Sequence, residues 1–373
     1  MLIGVPKEIK PQEYRVGLVP AGVRELVRVG GTVLIQQGAG SAIQISDEEY
    51  RSAGAEIVMS AEEIFARSDL VVKVKEPQPE ECRMLRKGQT LFTFLHLAPD
   101  LQQIRLLQAS GVTAIAYETV TCEGGGLPLL TPMSEVAGRL AIQAGAHCLE
   151  IAQGGNGTLL GGVPGVAPAH VVVIGGGVVG TQAIQIAIGM GARVTVLDRS
   201  LARLRFLDSQ FHTQLTTVYA THDAISREVA DADLLIGAVL IPGATAPKLV
   251  SESMIKSMRP GSVVVDVAID QGGCFATSHP TTHHEPTFLI DNIVHYCVAN
   301  MPGSVPMTST YALTNATLPF VISMVSQGVK GALLADPHLL NGLSVHAGHL
   351  TYAAVAEAAN DVYVPARDAL NAK

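Results

Sequence analysis

Three residues at the ends of apolar runs are of the types that handle a small anionic substrate. Gly4-Val-Pro-Lys-Glu-Ile-Lys10 followed by Arg15-Val-Gly-Leu-Val-Pro20 puts Arg15 just ahead of a helix start. Val71-Val-Lys-Val-Lys75-Glu-Pro77 ends an apolar strand with Lys75, and Leu91-Phe-Thr-Phe-Leu-His96-Leu-Ala-Pro-Asp100 ends another with His96. Carboxyl ends of strands are where open α/β sheets bind ligands. An arginine, a lysine and a histidine there suit a carboxylate, a carbonyl and a proton transfer. Taken singly, each has a plainer explanation: a surface charge, or a hydrogen-bonded histidine of the framework.

A second constellation is more specific. Val171-Val-Val-Ile-Gly175-Gly-Gly177-Val-Val-Gly180 is a G-x-G-x-x-G placed after a β-branched strand and at the start of a helix. Gly175 permits the tight turn, Gly177 lets backbone amides approach a pyrophosphate, and Gly180 lets helix and strand pack closely. The phosphate charge then meets free N–H groups at the positive end of the helix dipole. The next strand, Arg193–Leu197, ends in Asp198, 18 positions beyond Gly180. A carboxylate there accepts hydrogen bonds from the ribose hydroxyls and repels a 2′-phosphate, which favours NAD over NADP. Strand, turn, helix, second strand and acid in order make this a dinucleotide site for hydride transfer.

The elements that position these residues alternate along the chain. Thr32–Gln36, Leu70–Val74, Leu91–Phe94 and Val112–Ala116 read as strands, with helices over Ala21–Val29, Ala61–Ala66 and Leu101–Gln108. Thr131–Gln153 has helical spacing, and Gly154–Pro168 is a glycine- and proline-rich loop. A second series follows, with strands at 171–174, 193–197, 234–239, 262–267 and 288–290, and helices over 178–190 and 201–211. The tail from Ser304 reads as helical, with breaks at Pro319, Gly328 and Pro337. Such βαβ alternation predicts parallel sheets. The expected fold is α/β, with two Rossmann-like doubly wound domains joined by long helices. Residues 131–304 form the NAD-binding domain with its parallel sheet. Residues 1–130 and 305–373 form a discontinuous substrate domain.

Composition narrows the class. The 373 residues are 48 % hydrophobic and 16 % charged, with a net charge of −8. No basic cluster is present to neutralise phosphates, which argues against a nucleic-acid partner. Mean hydropathy is +0.32, but the uncharged stretches Ile151–Ala192 and Met301–Val329 are broken by glycines and prolines and read as buried core instead of membrane spans. There is no secretory signal pattern at the start. Cys82, Cys122, Cys148, Cys274 and Cys297 are an odd, scattered set that suits a reduced, cytoplasmic chain. His279, His283, His284 and His295 cluster, yet match no zinc spacing, so no metal is assigned.

These segments, with Ser134-Glu-Val-Ala-Gly138, Asp266-Val-Ala-Ile-Asp270-Gln-Gly-Gly273, His295-Tyr-Cys-Val-Ala-Asn-Met-Pro302 and Thr308-Ser-Thr-Tyr-Ala-Leu313, resemble the NAD-dependent L-alanine dehydrogenases. That family is related to the transhydrogenase alpha subunits. The resemblance runs essentially end to end and implies two Rossmann-like domains with a cleft between them, assembled as a hexamer. It implies reversible deamination of L-alanine to pyruvate and ammonia. Arg15 would hold the substrate carboxylate in a bidentate pair, and Lys75 the carboxylate or the carbonyl end. His96 would be the general acid/base. Asp270, which by itself could merely cap a turn with Gly272 and Gly273, would activate water and handle ammonia, or orient the amine. Ser134, Val178, Asp198, Arg203, Val239, Leu240, Val267, Val298, Asn300 and Met301 would contact NAD beside the three glycines. Phe94, Ala220 and Met307 stand where the family often has tyrosine, serine and arginine. The runner-up from another class is the soluble NAD-binding component of a proton-translocating transhydrogenase. A silent NAD sensor would not need His96 and Asp270, and a saccharopine-type dehydrogenase differs in its substrate.

Overall fold

The structure is a computed structural model that describes residues 1–239 and 246–372. It resolves into two compact units, one of Met1–Met133 with Val305–Lys373 and one of Ser134–Ser304. The chain passes from the first to the second within the helix Thr131–Cys148.

The first unit begins with β1 (Leu2–Val5), β2 (Thr32–Gln36), β3 (Glu56–Val58), β4 (Leu70–Val72), β5 (Thr90–Thr93) and β6 (Thr113–Ala116), all parallel. Short runs such as Leu-Val-Val in β4 are buried on both faces, the pattern that helix-covered parallel sheets require. The helix Pro20–Arg28 after β1 starts on a proline, whose fixed φ and missing N–H suit a first helical turn.

The second unit holds β7 (His170–Ile174), β8 (Arg193–Asp198), β9 (Leu215–Tyr219), β10 (Leu234–Gly237), β11 (Val263–Asp266), β12 (Thr287–Ile290) and β13 (Ile293–Tyr296). Their order among the described residues is β12-β13-β11-β10-β7-β8-β9. All neighbours are parallel except the edge hairpin β12–β13. The chain moves outward from β7 to β9, then restarts on the other side of β7 with β10. That reversal is the switch point at which open α/β sheets bind ligands.

The tail is not all helical. Pro306–Gln327 is one helix that continues through Pro319; the breaks fall at Gly328, whose φ of +74° a side chain would resist, and at Asp336, just ahead of Pro337. Beyond it β14 (Leu343–His346) runs antiparallel to β6, and β15 (His349–Leu350) pairs with β14. The first sheet thus reads β15-β14-β6-β5-β4-β1-β2-β3, with its own reversal between β1 and β4. No single helix among the described residues is long and apolar enough to cross a membrane.

Candidate functional site

In the first unit the three sequence-identified residues follow the carboxyl ends of neighbouring strands: Arg15 after β1, Lys75 after β4 and His96 after β5. The segment carrying Arg15 lies directly on the end of β4, since a Cβ added to Gly17 would sit 2.7 Å from the Val72 carbonyl oxygen. Arg15 is buried and paired with Glu13, which accepts from Nε at 2.7 Å and from Nη2 at 2.5 Å. Its Nη1 lies 3.1 Å from the Met133 sulfur.

Lys75 is likewise buried. Its carbonyl accepts the Thr93 hydroxyl at 2.9 Å, which ties it to β5. Burial works against ionisation of the neighbouring Glu76, but Lys75 and Lys10 outweigh it and hold the carboxyl below its usual range. Two residues back, Lys73 is fully buried between Glu81 (2.7 Å) and Glu8 (3.1 Å). Burial pushes the Glu8 carboxyl up against the pull of Lys73, because two carboxylates share one ammonium. Glu8 also accepts the Val74 amide at 2.7 Å, so the cluster fixes the backbone that presents Lys75.

His96 is exposed and has a φ of +46°, a strained value for a residue with a side chain. Glu118 holds it there, accepting the backbone amides of His96 at 2.6 Å and Leu95 at 3.2 Å. The imidazole stacks on Phe94, ring centroids 5.7 Å apart and planes nearly parallel at 3°. Phe94 in turn meets Tyr117 edge-on at 5.1 Å, and the Tyr117 hydroxyl donates to the Lys73 carbonyl at 2.9 Å. One packed chain of groups therefore links the supports of His96 and Lys75.

In the second unit the glycine turn has the geometry its sequence demands. Gly175 has a φ of +98°, and a Cβ there would lie 2.6 Å from the Ala238 carbonyl oxygen. A Cβ on Gly180 would lie 1.9 Å from the Gly175 carbonyl oxygen. At Gly177 a Cβ would meet no atom within 4 Å, so this glycine leaves room above the turn instead of packing beneath it. The helix Val178–Gly189 begins there. Asp198 ends β8 and accepts the amides of Gly176 and Ser200, both at 2.7 Å. Arg203 donates through Nε to the Gly176 carbonyl and through Nη2 to Thr181.

The remaining second-unit positions follow strand ends too. Val239 comes after β10, Val267 opens a 3-10 turn after β11, and buried Val298 and Met301 come after β13. Ser134 lies in the helix Thr131–Cys148, and Leu240 lies outside the described residues. Asp270 is exposed, and its Oδ1 accepts the Asn300 amide at 3.2 Å, Asn300 having a φ of +57°. Below it the fully buried Asp266 accepts the amides of Ala268 (3.1 Å), Cys274 (2.9 Å) and Phe275 (3.2 Å). Burial raises its pKa despite those bonds. The histidine cluster is a packed stack: His279 lies on Phe288 at 3.7 Å and Phe288 on His295 at 4.8 Å. Both nitrogens of His295 are engaged, by Thr277 and the Ile293 carbonyl.

Known proteins agree along the whole chain. The profile "Alanine dehydrogenase/PNT, N-terminal domain" matches residues 4–137, and "Alanine dehydrogenase/PNT, C-terminal domain" matches 141–353. The chain belongs to the alanine dehydrogenase/PNT family. Within it, an alanine dehydrogenase of Halomonas elongata is 58 % identical over 98 % of this chain and 99 % of its own. A solved L-alanine dehydrogenase superposes with a TM-score of 0.93 at 52 % identity, covering 96 % of this chain and 99 % of that one. A transhydrogenase from Sinorhizobium meliloti gives 0.80 at 25 % identity, covering 95 % and 100 %.

The cofactor of this family is NAD, and the second unit fits it. A positive-φ turn at Gly175, space over Gly177, a 12-residue helix beginning at Val178 and a carboxylate at the end of the next strand are the parts a dinucleotide requires. Among the described residues no group of three or more metal-binding side chains converges. Glu13, Glu118, Asp266 and the Glu8–Lys73–Glu81 cluster were not singled out from the sequence. Glu13, two places from Arg15, and Asp266, two places from Ala268, meet their partners locally; Glu8 and Glu118 find theirs through the fold.

Proposed function

We propose that this chain is an NAD-dependent alanine dehydrogenase that interconverts L-alanine and water with pyruvate and ammonia. The reading is carried by end-to-end likeness to alanine dehydrogenases, much closer than that to the transhydrogenase. In this reading Met1–Met133 with Val305–Lys373 is the substrate unit and Ser134–Ser304 the NAD unit.

Arg15 binds the alanine carboxylate through charge-assisted hydrogen bonds. Lys75 stabilises the oxygen that becomes the pyruvate carbonyl. His96 removes a proton from the substrate ammonium, which frees the nitrogen lone pair that must push as the Cα–H bond breaks. Asp270 activates the water that adds to Cα, and the amine then departs as ammonia. When bound at the Gly175–Gly180 turn, NAD supplies the two-electron acceptor. Ser134, Val178, Asp198, Arg203, Val239, Leu240, Val267, Val298, Asn300 and Met301 serve that cofactor, with Asp198 on the ribose hydroxyls. By the same resemblance the enzyme works in the cytoplasm as a homohexamer.

The test is an absorbance assay of nicotinamide reduction with alanine and NAD, and of oxidation with pyruvate, ammonia and NADH. Turnover in both directions is expected. Absence of turnover in either direction overturns the reading.

A further inference from the structure

The Glu13–Arg15 pair carries an inference that rests on the proposed substrate role of Arg15. Glu13 Oε1 accepts both the Arg15 backbone amide (3.0 Å) and Nε (2.7 Å), while Oε2 accepts Nη2 at 2.5 Å. The side chains of Arg15 and Glu13 are 1 % and 0 % exposed. The backbone beneath them is fixed as well. Gly17 is pressed on Val72, and the Val16 amide reaches Thr310 Oγ1 at 3.4 Å.

We propose that Glu13 is a positioning residue that sets the plane and direction of the Arg15 guanidinium for the substrate carboxylate. A fork held on Nε and Nη2 retains a single orientation, whereas an arginine held at one point samples several rotamers. The carboxylate also balances the charge that Arg15 brings into a buried place, so the pair persists without substrate. Order established before binding lowers the cost of binding, and its loss falls on substrate affinity more than on the chemical step.

The experiment compares wild type, Glu13→Gln, Arg15→Met and the double variant, measuring KM and kcat for pyruvate and the Kd of NADH by its fluorescence. Arg15→Met raises the pyruvate KM. Glu13→Gln raises it by roughly tenfold to a hundredfold, the scale of a charge-assisted contact. NADH affinity is expected to be unchanged, and the double variant to be no worse than Arg15→Met alone, because the proposed effect of Glu13 on substrate binding runs through Arg15. A wild-type KM in Glu13→Gln, or losses that multiply in the double variant, overturns the assignment to Glu13. A wild-type KM in Arg15→Met overturns the substrate role of Arg15 itself. If Glu13→Gln does not fold, Glu13→Asp keeps the charge on a shorter arm and carries the test. A raised KM with unchanged NADH binding supports the proposal, and a wild-type KM overturns it.

Discussion

Asp198 Oδ2 accepts the Gly176 amide at 2.7 Å, so the acid that ends β8 is also a strut of the glycine turn that follows β7. Asp198→Ala removes both the proposed ribose acceptor and this strut. NADH binding should weaken by about tenfold or more, the value of a lost hydrogen bond to a charged group. Discrimination against NADPH should relax as well. Titration of NADH and NADPH fluorescence checks this, and an unchanged NADH curve would sink the role.

Gly180 has no room for a side chain. With the Gly175 carbonyl oxygen 1.9 Å from an added Cβ, Gly180→Ala must push the helix Val178–Gly189 off β7. Overpacking of this kind costs roughly 1–3 kcal/mol. A lowered denaturation midpoint is expected together with loss of NADH binding. Retention of both would show that turn and helix yield freely.

His96 stands at a strained backbone position with its ring on Phe94. His96→Ala should abolish turnover with alanine and with pyruvate while leaving NADH affinity intact. Steady-state assays beside a fluorescence titration separate the two effects. Residual turnover near wild type would assign the proton to another group.

Stability should fall on the acid side. Burial lowers the pKa of His170, His295 and His346 from the ordinary 6.5, so the fold keeps them neutral while the unfolded chain protonates first. Their contribution is complete above about pH 6.5 and is lost as the pH falls further, since the unfolded state then binds more protons. Glu8 and Asp266, raised by burial, act in the opposite sense. The histidine part is therefore read as a difference. His295→Gln should be destabilised near neutral pH, and the gap to wild type should narrow by about pH 5.5. Denaturant midpoints at several pH values measure it; a constant gap would refute it.

Lys73→Met leaves Glu8 and Glu81 facing each other in the core without their cation. Breaking a buried ion pair from one side costs about 3–5 kcal/mol. Chemical denaturation should show a loss of that size, and a Lys73→Met protein as stable as wild type would contradict the cluster's assigned role.

What could be read in the sequence was local. The β7 strand, its glycine turn and the acid after β8 lie within one βαβ unit, and each residue's reason is visible in its neighbours. Strand-end placement marked Lys75 and His96 for the same reason, and Arg15 stands just ahead of a helix start. Short or mixed strands were lost: β1 is four residues, and β9, Leu-Thr-Thr-Val-Tyr, is broken by two threonines and only partly buried. Pro319 signalled a break that the helix Pro306–Gln327 does not make. Such a site loses a backbone hydrogen bond and crowds the carbonyl four residues back, and burial of residues such as Leu313, Val321 and Met324 outweighs both. The supporting acids were hidden because Glu8 with Lys73, and Glu118 with the His96 amide, meet only after the sheet has formed.

The pairing of β14 with β6 has a consequence for biosynthesis. A nascent chain leaving the ribosome delivers β1 to β6 early, then every strand of Ser134–Ser304, and the partner for β6 almost last. The middle of the polypeptide can therefore mature while its beginning still waits with a hydrogen-bonding edge bare. Ribosome stalling or premature termination just before Leu343 would leave that edge open to the wrong neighbour.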